Sequence, residues 1–134
     1  MLTQFIKLYL VAVPVLAMLD YLWLGVITKS FIQRQLGVLM RPDIQWIPGI
    51  LFYLMFAAGV VIFAVFPGIE KGSLLRTIAL AAFLGFVAYG TYEFTNAATL
   101  IGWPRGLIIP DILWGTAASA ITGAVVFLVA RYLL

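Results

Sequence analysis

The side chains best suited to chemistry in this sequence are three acids in apolar surroundings. Asp20, Glu93 and Asp111 lie within long hydrophobic runs or at their ends, whereas Asp43 and Glu70 belong to polar connecting segments. Such acids can hold a cation or share protons, and two of them in different environments can act as general acid and general base. The chain has no Cys and no His, so we expect no zinc, iron–sulfur or haem site, no nucleophilic Cys and no imidazole base. We therefore expect neither a metal nor a cofactor.

Further polar side chains lie at helical spacing around these acids. In the stretch YGTYEFTNAATL (89–100), four of them follow the spacing i, i+3, i+4 and i+7, which is one face of a helix: Tyr89, Tyr92, Glu93 and Asn96. The last hydrophobic run carries a narrow stripe of small and polar residues, which allow close helix packing in membranes: Asp111, Gly115, Ser119 and Thr122.

The composition predicts an integral membrane protein. Of the 134 residues, 65% are hydrophobic and only 10% are charged, whereas soluble domains carry about 25% charged residues. So few charges cannot cover a water-facing surface, and the lipid bilayer is therefore the expected partner. The formal net charge of +3 comes from scattered basic residues, a pattern that speaks against binding to nucleic acid.

Four hydrophobic runs are long enough to cross a hydrocarbon core, which needs roughly 17–25 residues. They cover about residues 5–26, 47–66, 74–97 and 110–132. The first run is too long for the apolar part of a cleaved signal peptide, so we expect it to remain as a span. The sequence therefore predicts an all-α fold, an integral membrane four-helix bundle of antiparallel spans that forms one transmembrane domain over residues 1–134.

The first link, about residues 28–46, has an amphipathic pattern. Its apolar residues fall on roughly one helical face: Phe31, Ile32, Leu36 and Met40. Its basic and amide side chains can stay in water: Lys29, Gln33, Arg34 and Arg41. The pattern fits a short helix lying in the membrane interface, and it fits an ordinary amphipathic loop equally well.

An even number of spans places both termini on the same side of the membrane. The positive-inside rule favours neither orientation, because each side carries four basic residues. The terminal side has Lys7, Lys71, Arg76 and Arg131, and the opposite side has Lys29, Arg34, Arg41 and Arg105.

Antiparallel crossing brings the three acids toward the same membrane face. Asp20 lies six residues before the predicted end of span one, Glu93 four before the end of span three, and Asp111 opens span four. Ionisable groups inside membranes generally face a wet cavity or the protein interior, so we expect an acidic, phenol-lined pocket. Its candidate ligand-binding residues are Asp20, Trp23, Tyr89, Tyr92, Glu93, Asn96, Asp111 and Trp114.

Several of these residues also have a purely structural explanation. Asp111 follows Pro110, and an acid in the first turn of a helix is favoured by the helix dipole. Asn96 could simply end a helix. Tyr89 and Tyr92 could belong to the aromatic belt at the membrane interface.

The two deeper acids, Asp20 and Glu93, have no capping role in the predicted helices. Structural hydrogen bonding is their alternative explanation. Arg105 could also reach back to one of the acids and form a purely structural ion pair.

Six segments carry a more specific signal: LDYLWLGVITKSF (19–31), QLGVLM (35–40), ILFYLMFAAGVVIFAVFP (50–67), EKGS (70–73), YGTYEFTNAATLIGWP (89–104) and DILWGT (111–116). In this order they resemble the bacterial membrane protein family called domain of unknown function 2177, across nearly the whole chain. The resemblance implies a small four-helix protein of the bacterial inner (cytoplasmic) membrane, and it implies no assigned activity. The implied motif positions are Asp20, Trp23, Tyr89, Tyr92, Asn96, Trp103, Asp111 and Trp114, with Asp the usual family residue at the position of Glu93.

Three functions from different classes fit such a protein. The first is binding or transport of a small cationic or amphiphilic ligand, with proton-coupled movement as one form, because adjacent acids repel one another unless they share protons or hold positive charge. Aromatic rings would add cation–π contacts. The second is an accessory or structural role in a homo-oligomer or larger membrane complex. The third is a membrane enzyme that acts on a lipid or isoprenoid substrate by carboxylate acid–base chemistry.

Overall fold

The computed structural model describes all 134 residues, and its regular structure is helical throughout. Its helices are α1 (Leu2–Ile27), α2 (Lys29–Leu36), α3 (Trp46–Glu70), α4 (Leu74–Thr99) and α5 (Arg105–Leu133). Four of them, α1, α3, α4 and α5, are long and apolar enough to cross a membrane. The all-α fold with four spans that the sequence predicts is therefore confirmed.

The spans pack against one another in antiparallel order. Along α4 and α5, Gly85 lies against Ser119, whereas the earlier Ala81 lies against the later Gly123. The links on either side of α4 are only a few residues long, and short links join antiparallel neighbours. The bundle therefore has the antiparallel, up-and-down arrangement that the sequence predicts.

Glycines allow the backbones of α4 and α5 to touch. A Cβ atom built on Gly85 would collide with the carbonyl oxygen of Gly115 and with the side chain of Ser119. A Cβ atom on Gly123 would lie 2.8 Å from the Cβ of Ala81, which is closer than such atoms approach. The stripe of small residues predicted in the last span lies in this contact, because only small side chains permit so close an approach.

Helix α3 extends beyond its predicted end at residue 66. Pro67 and Gly68 do not end the span, which continues to Glu70. A π-helical turn at Val61–Val65 comes just before the proline, and the Phe66 N–H bonds to the carbonyl of Val61. Such a widened turn accommodates a residue that interrupts the regular backbone ladder, so the proline lies within the span.

Helix α5 begins at Arg105, well before the predicted start at Pro110. Pro104 precedes the helix in an extended conformation (φ −73°, ψ 115°), and Pro110 lies inside it. A proline inside a helix removes one backbone hydrogen bond, and the helix nevertheless extends a full turn before Pro110, through the buried Leu107. The prediction that Pro110 opens the last span is therefore wrong.

The first link contains the short helix α2, which confirms the helical alternative over the loop. Its apolar residues Phe31, Ile32 and Leu36 are partly buried, and its polar residues Lys29, Gln33 and Arg34 are exposed. Met40 lies beyond the end of α2 and is exposed, so its predicted place on the apolar face is wrong. The helix ends at Gly37, which has a positive φ of 50° that glycine adopts readily.

A packed apolar core fills the half of the bundle nearer the chain termini. Leu8, Ala12 and Leu16 recur every four residues along α1, and each is at most 1% exposed. They pack with buried residues of α3 and with Val126 of α5. Asp20 lies one helical turn beyond the last of them, so the acids begin where this core ends.

Candidate functional site

A cavity of about 530 Å³ lies between the four spans and α2. Small-molecule sites commonly have volumes of roughly 300–1,000 Å³. Twelve of the sixteen lining residues are hydrophobic, so most of the wall suits a hydrocarbon group. The other four lining residues are Asp20, Gly49, Glu93 and Asp111.

The three acids that the sequence singles out all lie on the wall of this cavity. Asp20 comes from α1, Glu93 from α4 and Asp111 from α5. No Lys or Arg lines the cavity, and two carboxylates about 4 Å apart at an effective dielectric constant of about 20 repel each other by about 4 kcal/mol. Ionised acids in this arrangement therefore need a shared proton or a cation, and they are not placed as a metal-binding group.

Glu93 is fully buried, and only one of its two carboxylate oxygens accepts a hydrogen bond. Its side chain is 0% exposed, and its Oε2 accepts a hydrogen bond of 2.8 Å from the indole Nε1 of Trp103. Its other oxygen, Oε1, has no hydrogen-bond partner. Leaving a buried polar atom without a partner costs about 1–3 kcal/mol, and more when the group is charged. Such an atom on a cavity wall marks a position where a donor or a positive charge would be stabilised.

Asp20 lies between side chains of two other helices. Its side chain is 3% exposed, and Oδ1 accepts a hydrogen bond of 2.7 Å from Trp114 Nε1. The phenol of Tyr53 on α3 lies close to this carboxylate. The Trp114 ring stacks on Trp23, with centroids 4.6 Å apart and planes 2° from parallel. Trp23 therefore positions the indole that binds Asp20 and does not itself line the cavity.

Asp111 faces Glu93 and has no capping role. Its side chain lies within hydrogen-bonding reach of the Glu93 carboxyl group. Because α5 begins at Arg105 and has no acid in its first turn, the helix-capping explanation for Asp111 is wrong. The same early helix start places Asp111 six residues inside the span, where it lines the cavity.

The remaining predicted residues lie around the acids. Tyr89 and Tyr92 line the cavity, and the ring of Tyr89 packs over Gly115 so closely that a Cβ atom there would collide with it. Asn96 does not line the cavity; its side chain lies close to the phenol of Tyr92. It does not end its helix either, since α4 continues to Thr99.

Arg105 does not form the ion pair with an acid that the sequence offers as an alternative. The donors to Asp20 and Glu93 are the indoles of Trp114 and Trp103, and the side chain of Arg105 is exposed. An indole N–H is neutral, so these hydrogen bonds do not neutralise an ionised carboxylate. An arginine would do so.

The sequence comparison decides the family. The family described as "Predicted membrane protein (DUF2177)" matches residues 5–128. The chain belongs to this family. No curated protein and no solved structure matches the chain. The matched residues of this DUF2177 protein include every residue on the cavity wall.

The outer surface of this DUF2177 protein is apolar along its spans, as expected of a protein in contact with lipid. Large hydrophobic side chains that are more than half exposed occur on all four spans, among them Leu10, Leu51, Phe83, Phe94 and Leu113. A water-soluble protein rarely exposes contiguous apolar surface of this extent. Lipid therefore surrounds the bundle, and the polar groups are gathered inside.

Two residues of the site, Tyr53 and Trp103, are absent from the list of candidates drawn from the sequence. Tyr53 lies alone in an apolar run, so no polar neighbour at helical spacing marks it. Trp103 is a motif position in the family resemblance, but it lies in the link after α4, ten residues from its partner Glu93. Its bond to that carboxylate depends on how the link folds back, which helical periodicity does not describe.

Proposed function

We propose that this membrane protein binds an amphiphilic organic cation in the cavity between its four spans. The positive group would lie against the carboxylates of Glu93, Asp111 and Asp20, and the hydrocarbon part against the apolar wall. The observation that carries the proposal is Oε1 of Glu93, a buried oxygen without a hydrogen-bond partner. It belongs to a side chain that lines a cavity with three acids and no basic residue.

The shape and chemistry of the wall support an amphiphile over a small inorganic cation. The apolar side chains include Phe52 and Phe56 from α3, Leu107 from α5, and Ile32 and Leu36 from α2. An alkyl chain placed among them would be stabilised by about 0.8 kcal/mol per buried methylene group. Aromatic rings beside the acids would add cation–π attraction to the positive group.

Binding is better supported than transport. Movement of a ligand across the membrane requires a site that opens to both sides in turn. The core around Leu8, Ala12 and Leu16 closes the bundle beyond the acids. A transport cycle would have to open this packed half, whereas binding needs only the cavity that is already formed.

The test measures binding of decyltrimethylammonium, an amphiphile of permanent positive charge, to the full chain in lipid nanodiscs. We expect saturable binding, and no saturable binding of decanol. Asp20→Asn and Glu93→Gln each remove one negative charge, so each is expected to weaken binding by at least about tenfold, because a close ion pair at an effective dielectric constant of about 20 contributes a few kcal/mol.

The matched controls are the two acids outside the cavity. Asp43→Asn and Glu70→Gln make the same atomic changes at exposed positions and are expected to bind like the wild type. Equal affinity of the two cavity variants and the two controls would refute the proposal. Wild-type protein without saturable binding would refute it as well and would favour an accessory role in a larger complex.

We also propose that the protein is a multi-pass protein of the bacterial inner membrane with both termini on one side. The antiparallel order of the four spans supports the shared side of the termini. The absence of Cys makes this easy to test, because Thr3→Cys and Leu134→Cys each introduce a single thiol. We expect a membrane-impermeant maleimide to label both variants, or neither, in intact spheroplasts; labelling of one alone would overturn the arrangement.

A further inference from the structure

The acids Glu93 and Asp111 form a pair that has more acceptors than donors. The Glu93 carboxyl group receives one hydrogen bond, from Trp103, and its Oε1 receives none. The side chain within hydrogen-bonding reach of Glu93 on α5 is the carboxyl group of Asp111. Two ionised carboxylates cannot bond to each other because neither has a hydrogen to donate. A single proton on either one turns the contact into a donor–acceptor pair.

The other groups that face this pair offer no compensating cation. Asp20 on α1 bears the same sign of charge and already accepts a hydrogen bond from Trp114. From α4 the pair meets the phenols of Tyr89 and Tyr92, and the residues of α2 on the cavity wall are Ile32 and Leu36. No lining residue is Lys or Arg, so a proton is the positive charge that the empty site can hold.

We propose that the empty cavity holds one proton between Glu93 and Asp111, and that binding of the organic cation releases this proton to water. This inference rests on the proposed function, because it concerns how the same site takes its ligand. The proton leaves as hydronium or to buffer, and the cation takes its place beside the two carboxylates. The cavity then has the same net charge before and after binding, which avoids leaving an uncompensated charge in surroundings of low dielectric constant.

The exchange has a measurable signature. If one proton leaves for each cation bound, the apparent affinity rises tenfold per pH unit over the range in which the empty pair holds its proton. Decyltrimethylammonium has no proton to lose, so any proton that appears on binding comes from the protein. A pH-indicator dye in weakly buffered nanodisc samples counts these protons during a titration, and we expect one per bound cation for the wild type.

Asp111→Asn separates the exchange from binding. The asparagine amide can donate to Glu93 without a shared proton, and the ionised Glu93 and Asp20 remain to attract the cation. We expect this variant to bind decyltrimethylammonium more weakly than the wild type, because one of the three cavity carboxylates is gone, but to release no proton on binding and to bind with an affinity that does not depend on pH. Asp43→Asn is the matched control and is expected to release one proton. Proton release from Asp111→Asn equal to that of the wild type would overturn the inference.

Infrared spectroscopy tests the shared proton without any ligand. We expect ligand-free wild type to show the carbonyl stretch of a protonated carboxyl group, and Asp111→Asn and Glu93→Gln each to lose it, while Asp43→Asn retains it. The same band in all four proteins, or in none, would overturn the inference. These outcomes can be told apart from those that test the proposed function. If the wild type does not bind the cation, the proposed function is wrong. If the cation binds without proton release, only the exchange of proton for cation is wrong.

Discussion

The hydrogen bond from Trp103 to Glu93 gives the sharpest prediction about stability. Trp103→Phe removes the indole N–H that donates to Glu93 Oε2 at 2.8 Å. Because Oε1 has no partner in the wild type, neither oxygen of the buried carboxylate then accepts a hydrogen bond. The phenylalanine ring can still pack edge-on against Tyr92, whose centroid lies 5.7 Å from that of Trp103. The loss is therefore mainly that of one hydrogen bond to a charged or proton-sharing group.

A hydrogen bond to a charged group contributes about 1.5–3 kcal/mol. Because each 1.4 kcal/mol is a factor of about ten, we expect Trp103→Phe to shift the unfolding equilibrium roughly 10- to 100-fold toward the unfolded state. Reversible unfolding by SDS in mixed micelles, followed by helical circular dichroism, measures this shift. Trp46→Phe is the matched control, since Trp46 is 68% exposed at the start of α3, and we expect it to change the free energy of unfolding by less than about 0.5 kcal/mol.

A double-mutant cycle assigns the loss to the carboxylate. In Glu93→Gln the indole donates to a neutral amide oxygen, and such bonds are roughly half as strong as those to an ionised acceptor. Trp103→Phe should therefore destabilise the Glu93→Gln protein by only about half as much as the wild type. If Trp103→Phe costs the same in both backgrounds, or no more than Trp46→Phe, the bond to Glu93 does not stabilise the protein and the reasoning is refuted.

Further substitutions test the packing around the cavity. Gly85→Ala places a methyl group against the backbone of α5 and should destabilise the protein by about 1–3 kcal/mol in the same SDS assay. Gly49→Ala is the control, because a Cβ atom there has open space, and it should not destabilise the protein. Equal effects of the two substitutions would contradict the close helix contact. Trp23→Leu removes the stack on Trp114 and should cost about 0.5–1.5 kcal/mol beyond the lost buried area, measured against Trp46→Leu; a smaller loss than that of the control would show that the stack contributes nothing. Ile32→Ala trims the wall that α2 contributes and should weaken decyltrimethylammonium binding about fivefold, from roughly 1 kcal/mol of lost apolar contact; unchanged binding would place the ligand away from α2.

The features that follow from local spacing could be predicted from the sequence. Four long apolar runs become four spans, because length and hydropathy alone decide whether a helix can cross a membrane. The face of α4 that carries Tyr89, Tyr92 and Glu93 points into the cavity, since residues three and four apart lie on one side of any helix. The common level of the acids follows from antiparallel order together with a rise of about 1.5 Å per residue.

The features that depend on contacts between helices could not be predicted in the same way. The hydrogen bond from Trp114 to Asp20 requires a particular rotation of each helix about its own axis, and packing sets that rotation. The predicted ends of α3 and α5 differ from the structure because a proline can lie inside a helix as well as at its end. Pro67 follows a widened turn, and Pro110 lies in regular helix. Pro67 and Pro110 both lie within helices, where tertiary packing outweighs the local preference.

The glycine contact between α4 and α5 bears on how the acids can move relative to one another. Because these two backbones are in direct contact, we expect α4 and α5 to move together as one rigid hairpin. Glu93 and Asp111 would then keep a fixed distance from each other. Asp20 belongs to α1, which packs on α5 through side chains such as Leu8 and Leu16 against Val126. We therefore expect a bulky ligand to displace α1, while the distance between the carboxyl groups of Glu93 and Asp111 stays the same.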